Sequence, residues 1–369
     1  MLSLEQRIDA FDRLGRFMSQ YREVRQDEDL QKLNKHFLKE YQVCIKDAEL
    51  FNHWFSEDNL HFALQSWSEA LSREQLEAWT IDYDADFFEH DRGTKTVALI
   101  MAGNIPLVGF HDLLSVLIAG HKALIKPSSD DAKLIPFFCQ ILVAINAEFA
   151  AYLQFADGQM KDFDAVIATG SNNSSRYFES YFGKYPNIIR KNRSSLAILS
   201  GEETKEELEL LGEDIFRYFG LGCRNVSKVY VPQDFELQKL FEAFYKFQAV
   251  CDNNKYANNY DYNRAIYLME HHDFLENNQD RLDAITPIVE NLNMSDEMQT
   301  INIDEIDKLY RRAERFYLNS LKDDFTNNME ESDIKFEVSN YFKDISKKIK
   351  RVKITIFTDA ELRTRKKSL

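Results

Sequence analysis

The chain has 369 residues, 44% of them hydrophobic, which suffices for one large or two ordinary domains to bury cores of their own and excludes wholesale disorder. Asp and Glu number 61 against 46 Lys and Arg, a net charge of -15 that repels polyanions and argues against a nucleic-acid partner. The cysteines at 44, 139, 223 and 251 form no CxxC pair and have no histidine at zinc-ligand spacing, so reduced thiols and no metal site are expected. No leader-like start and no apolar run near the roughly 20 residues of a bilayer span are present, and a cytoplasmic protein without a membrane span is expected.

From Ser3 to about Ile81 apolar residues recur at three- and four-residue spacing, which predicts a helical N-terminal layer; Ser72–Gln75 has capping-box form. At Thr96–Ala102 the pattern changes to a short apolar run ending at Gly103, as in a buried parallel strand. A turn at Gly103-Asn104-Ile105-Pro106, a helix over Leu107–Ala119 and a second strand at Ala123–Ile125 complete a strand-helix-strand unit. A helix from about Asp130 to Phe155 then leads to a third strand, Ala165–Ala168, and the turn Thr169-Gly170-Ser171. Leu196–Leu199 and Val226–Val231 are further strands, with a helix over Thr204–Phe219 between them. Alternation of this kind is most simply a doubly wound parallel sheet.

Eleven of the twelve glycines lie between Gly93 and Gly222, so the chemistry is expected in that middle stretch. After Leu268 the sequence is acidic, amide-rich and glycine-free, with amphipathic helices expected. It ends in a basic stretch, residues 343–369, with ten Lys or Arg against three Asp or Glu, read as a solvated or partner-facing extension.

Ligands of open parallel sheets collect beyond the carboxyl ends of the strands, where the turns at Asn104, Lys126 and Gly170 all fall. Taken singly, Thr-Gly-Ser is an ordinary capped turn and Lys126 a solvated lysine; together, in this order, they point to a site. In Gly220-Leu221-Gly222-Cys223-Arg224-Asn225 two glycines let the backbone approach a ligand, making Cys223 a candidate nucleophile whose own amide can face an oxyanion. Cys139, inside an apolar helix, reads as structural.

The succession Gly103-Asn104-Ile105-Pro106, Leu124-Ile125-Lys126-Pro127-Ser128, Thr169-Gly170-Ser171 and Gly222-Cys223 resembles the aldehyde dehydrogenase superfamily. Phe219–Lys228 and Lys255–Leu268 narrow the resemblance to its acyl-CoA reductase branch, which includes the reductase component of the bacterial bioluminescence fatty-acid reductase complex. The resemblance implies an aldehyde-dehydrogenase-like α/β fold: a helical layer over 1–90, a doubly wound dinucleotide-binding domain over 91–200, and a second α/β catalytic domain beginning at 201–268. Residues 269–369 form a divergent C-terminal segment. The resemblance makes Cys223 the acyl-accepting nucleophile and Asn104 the partner of the Cys223 amide in an oxyanion hole. Lys126, Ser128, Ser129, Thr169, Gly170 and Ser171 are the implied cofactor-binding residues.

Two departures refine the expectation. Ile189-Arg190-Lys191-Asn192-Arg193 stands where hydrolytic relatives carry a water-activating glutamate, which favours reduction of an acyl-CoA or acyl-carrier thioester, long-chain by resemblance, to an aldehyde. Ser129 stands where many NAD-using relatives place a carboxylate, which favours NADPH. The resemblance also implies a homo-oligomer or an acyl-transferring partner protein. Two other readings stay open: a non-catalytic cofactor-binding or scaffold protein, and a cysteine acyltransferase or thioesterase without hydride transfer.

Overall fold

The computed structural model describes residues 2–269, apart from 22, 23, 25, 26, 84, 89–92, 192, 194, 233 and 234, together with 288–290, 349, 350 and 353–355. The expected helical layer comprises α1 (Leu4–Met18), α2 (Glu28–Phe51), α3 (Glu57–Ala70), α4 (Arg73–Thr80) and α5 (Ala85–Phe88). α1 opens with a capping box in which Ser3 Oγ accepts the Gln6 N–H and the Gln6 side chain accepts the Ser3 N–H. The capping box expected at Ser72–Gln75 does not form, since Ser72 makes no side-chain bond to α4. Asp12 of α1 takes the Arg73 N–H instead, at 3.0 Å, and the Arg73 guanidinium pairs with Glu5 and Asp9 of α1. A neighbouring helix thus satisfies one of the free donors at the start of α4. Phe11 of α1 is fully buried and meets Phe110 and Phe149 edge-on at 6.4 and 6.0 Å, which fastens the layer to the unit that follows.

That unit runs β1 (Thr96–Ile100), α6 (Phe110–Ile118), β2 (Lys122–Lys126), α7 (Leu134–Ile145), β3 (Leu153–Phe155), β4 (Ala165–Thr169), α8 (Asn172–Phe182) and β5 (Asn187–Arg190). The strands form one parallel sheet in the order β3-β2-β1-β4-β5. Along β1 successive side chains enter different cores: Val97 and Leu99 pack with α1, α6 and α7, whereas Ala98 faces Leu124, Val166, Ala168 and the α8 phenylalanines 178 and 182. Both faces are covered, as a doubly wound sheet requires.

Two strands, β3 and β5, are additions to the sequence reading. The helix expected over Asp130–Phe155 is divided because Pro136 is tolerated only in a helix's first turn, so α7 starts at Leu134. Asn146 ends α7 and its side chain accepts the Glu148 N–H at 3.1 Å, turning the chain toward β3. The helix expected from Leu107 begins at Phe110, because Leu107 holds a left-handed backbone, φ +57°.

A second unit contains β6 (Ser195–Ile198), α9 (Lys205–Phe216), β7 (Val226–Pro232), α10 (Leu237–Phe244) and α11 (Asn254–Met269), with β6 and β7 parallel. Its own core gathers Leu208, Ile215, Phe216, Val229, Val231 and Phe244. Farther on, β8 (Ile288–Glu290) pairs antiparallel with β10 (Lys353–Thr355), and β9 (Ile349–Lys350) pairs antiparallel with β7. The amphipathic helices expected after 269 lie outside the described residues. No described helix is long and apolar enough to cross a membrane.

Candidate active site

The strand order reverses at β1, whose neighbours β2 and β4 start opposite halves of the sheet, so the ligand crevice lies beyond the carboxyl ends of β1 and β4. Residues 101–106 follow β1, Lys126 ends β2 and Thr169 ends β4, and the strands are parallel neighbours. The three turns singled out in the sequence therefore share one rim.

The turn after β1 is held from below. Met101 N–H donates to Lys126 O at 3.1 Å, and the buried Asn52 amide donates to Gly103 O and Asp130 O at 3.2 Å each. Leu107 N–H donates to Asp131 Oδ2 at 3.2 Å, which holds the left-handed residue in place. A Cβ on Gly103 would lie 2.6 Å from Ser128 Oγ, so only glycine lets the two turns touch. Ser128 caps the short turn at 129–131 by accepting the Asp130 N–H, while Lys126 and Ser129 are exposed. At the end of β4 the Ser171 hydroxyl accepts the Ser174 N–H at 3.2 Å and caps α8. The first turn of α8 contains no acidic residue. An exposed lysine and a helix start without carboxylates fit the negative phosphates of a dinucleotide.

Cys223 is the exposed member of the four cysteines. Burial pushes the Cys44 and Cys251 thiols up to about 11 and that of Cys139 up to about 12, which suits them to packing rather than attack. The Cys223 turn is closed twice: Asn225 N–H donates to Gly222 O at 3.0 Å and Gly222 N–H donates to Asn225 Oδ1 at 2.8 Å. Among the described residues none accepts a hydrogen bond from the Cys223 amide. Asn104, 117 positions before Leu221, donates from Nδ2 to Leu221 O at 2.6 Å. An amide nitrogen carries two hydrogens, so one orients Asn104 and the second is available to another acceptor.

Upstream, Tyr218 and Phe219 both adopt φ +56°, an uncommon conformation for bulky residues that needs outside support. Asn59 Oδ1 accepts the Tyr218 N–H at 3.1 Å, and Arg217 pairs with Asp58 and Glu213 at 2.6 Å each. Phe219 packs against Trp54 at 5.4 Å and Tyr256 at 5.9 Å. Lys255 sits over the Trp54 ring at 4.6 Å, so the stretch beginning at Lys255 serves to brace the cysteine loop.

In the 189–193 segment, Arg190 reaches the buried carboxylate of Asp112 at 2.6 Å. Burial alone would raise the Asp112 pKa; hydrogen bonds from His111 and Arg190 outweigh it and hold it below its ordinary value. Sequence reading gave no role to Asn52, Asn59, Asp131 or Asn225. Asn225, two residues after Cys223 in a glycine-bearing turn, carried the signal of a side chain that closes its own turn.

The acyl-CoA reductase (LuxC) family matches residues 2–246, and the abortive infection phage resistance protein N-terminal domain matches residues 274–369. No curated protein matches the chain. Aldehyde dehydrogenase 21 from Physcomitrella patens, solved with the reaction product succinate, is 14% identical at a TM-score of 0.45, over 66% of this chain and 55% of its own. A putative aldehyde dehydrogenase, PutA, from Anabaena variabilis is 14% identical at 0.45, over 67% and 57%. AldH of Staphylococcus aureus in a substrate-bound state is 18% identical at 0.43, over 78% and 70%. The chain thus spans little more than half the length of the first two. The reductase match takes in the helical layer, the parallel sheet and the cysteine turn, and on that extent the chain belongs to the acyl-CoA reductase (LuxC) family.

Proposed function

We propose that the protein reduces an acyl thioester to an aldehyde with NADPH, through an acyl group held on Cys223. The observation that carries the reading is the bond from Asn104 Nδ2 to Leu221 O, which joins the rim of the parallel sheet to the turn bearing an exposed thiol. Cys223 sulfur attacks the thioester carbonyl carbon and coenzyme A, or a carrier thiol, leaves as thiolate. The Cys223 N–H and the second hydrogen of Asn104 Nδ2 stabilise the oxyanion of each tetrahedral intermediate; removing one such donor typically costs about 100- to 1000-fold in rate. A nicotinamide cofactor, held by the residues named below, would supply a hydride for the thioester carbon. The C–S bond then breaks, restoring the Cys223 sulfur and releasing the aldehyde.

Lys126, Ser128, Ser129 and Thr169-Gly170-Ser171 hold the cofactor in this reading. An uncharged Ser129 and an exposed Lys126 favour a 2'-phosphate; the exposed Asp130, one residue on, is the group that would favour NADH. The pairing of Arg190 with Asp112 supports a thioester protected from hydrolysis, because that segment presents a cation already engaged rather than a general base. The long-chain preference and the acyl-transferring or self-associating partner rest on the resemblance alone. The test follows NADPH or NADH absorbance with acyl-CoAs of graded length. Wild-type protein is expected to oxidise NADPH and to take a covalent acyl label, and Cys223→Ala to do neither; wild-type turnover by Cys223→Ala would refute the assignment.

A second reading is favoured by the change of family at 274–369. In it the reductase unit serves as a cofactor-binding part of a protein whose C-terminal segment acts in phage resistance. It predicts NADPH binding with no acyl label on Cys223.

A further inference from the structure

We infer that Asn225 is a positioning residue that aims the Cys223 amide at the reacting carbonyl, an inference that rests on the acyl-transfer reading of Cys223. The bonds on either side of Cys223, Asn225 N–H to Gly222 O and Gly222 N–H to Asn225 Oδ1, leave it at the tip of a turn clamped from both ends. The other end of the same side chain is equally committed. Asn225 Nδ2 donates to Asp214 O at 2.8 Å and Arg217 O at 3.0 Å, with Ile215 O at 3.5 Å. These carbonyls lie at the close of α9, where the helix leaves its last acceptors without partners of its own.

One amide therefore spans from the end of α9 to the cysteine turn, across the strained Tyr218–Phe219 pair. The Gly222 N–H is consumed by the clamp, which leaves the next amide, that of Cys223, to act as the donor. Gly222 is part of the device, since a Cβ there would lie 2.5 Å from Asn225 Oδ1. Aspartate is not a substitute. It keeps the acceptor for Gly222 but turns a carboxylate oxygen toward the carbonyls that Nδ2 now satisfies.

The experiment compares two reactions of one sulfur in the full chain. Acylation by acyl-CoA without NADPH needs an aimed donor; alkylation by iodoacetamide needs only an exposed thiol. Asn225→Ala and Asn225→Asp are expected to slow acylation about 10- to 100-fold, as a misplacement near 1 Å does, with alkylation within about threefold of wild type. Gly222→Ala presses on the same contact from its partner and stands in if the Asn225 variants do not fold. It is expected to cost a similar factor alone, and less than about twofold when added to Asn225→Ala. Acylation at the wild-type rate in these variants, or acylation and alkylation slowed in parallel, would overturn the inference. Wild-type protein that is alkylated but never acylated would overturn the acyl-transfer reading itself, and the inference with it.

Discussion

Asp131 shows how a single residue trades stability for placement. Its carboxyl is buried beneath the turn after β1, and burial pushes its pKa up to about 6 even though the Leu107 and Leu134 backbone amides pull it down. The Cys44 thiol of α2 lies near enough for the two groups to interact electrostatically. A folded pKa above the unfolded one means that the folded protein binds this proton more tightly. Stability from this group is therefore greatest below the ordinary value near 3.8 and falls as pH rises to about 6, a difference on the order of 2–3 kcal/mol. Asp131→Asn is accordingly expected to raise stability by about 1–3 kcal/mol at pH 7.5 and to change it little at pH 4, read from urea unfolding at both values. A variant less stable than wild type at pH 7.5 would mean that the carboxylate's bond to Leu107 outweighs its desolvation. The left-handed Leu107 gives the reason to keep a costly acid at this point.

At the scale of helices, two serine or threonine positions of similar sequence behave differently. Thr204 forms a complete capping box, its hydroxyl accepting the Glu207 N–H at 3.2 Å and the Glu207 carboxylate accepting the Thr204 N–H at 2.8 Å. Ser72 forms none. Thr204→Ala should cost about 1 kcal/mol and Ser72→Ala only a few tenths, both measured by urea unfolding at pH 7. Equal losses would mean that the bond from Arg73 to Asp12 does not replace a cap. The same contrast explains what the sequence made legible. The strands β1, β2 and β4 announce themselves because both faces are buried and the apolar run is unbroken. β5, Asn-Ile-Ile-Arg at the sheet's edge with Ile188 more than half exposed, carries no such signature, and β3 is too short to show a period. The site residues were legible for a related reason: Asn104, Lys126 and Gly170 are odd residue types at strand ends, and Cys223 stands in a glycine-bearing turn. Of the side chains that hold them, Asn52 and Asn59 act across tertiary distance and look like ordinary loop asparagines until the loops meet, whereas Asn225 closes its own turn.

For the molecule as a whole, the question is how much of the site depends on the last hundred residues. Among the described residues, the two cores on which the parallel sheet and its helices draw come from positions before 257, and every proposed cofactor residue lies on that sheet's rim. The second unit is different, because β7 takes β9 as an antiparallel neighbour, with Val231 opposite Lys350 and Pro232 opposite Ile349. The family match likewise ends at 246 and the other begins at 274. A chain ending at Met269 should then keep the dinucleotide subsite and expose one edge of the strand that follows the cysteine turn. NADPH affinity, measured by titration calorimetry, is expected to stay within about threefold of the full chain, whereas acylation of Cys223 should fall by about tenfold or more as β7 loses its support. Loss of NADPH binding on truncation would show that the C-terminal segment helps to form the cofactor site. Unchanged acylation would assign the segment from 274 onward a role separate from the reductase chemistry.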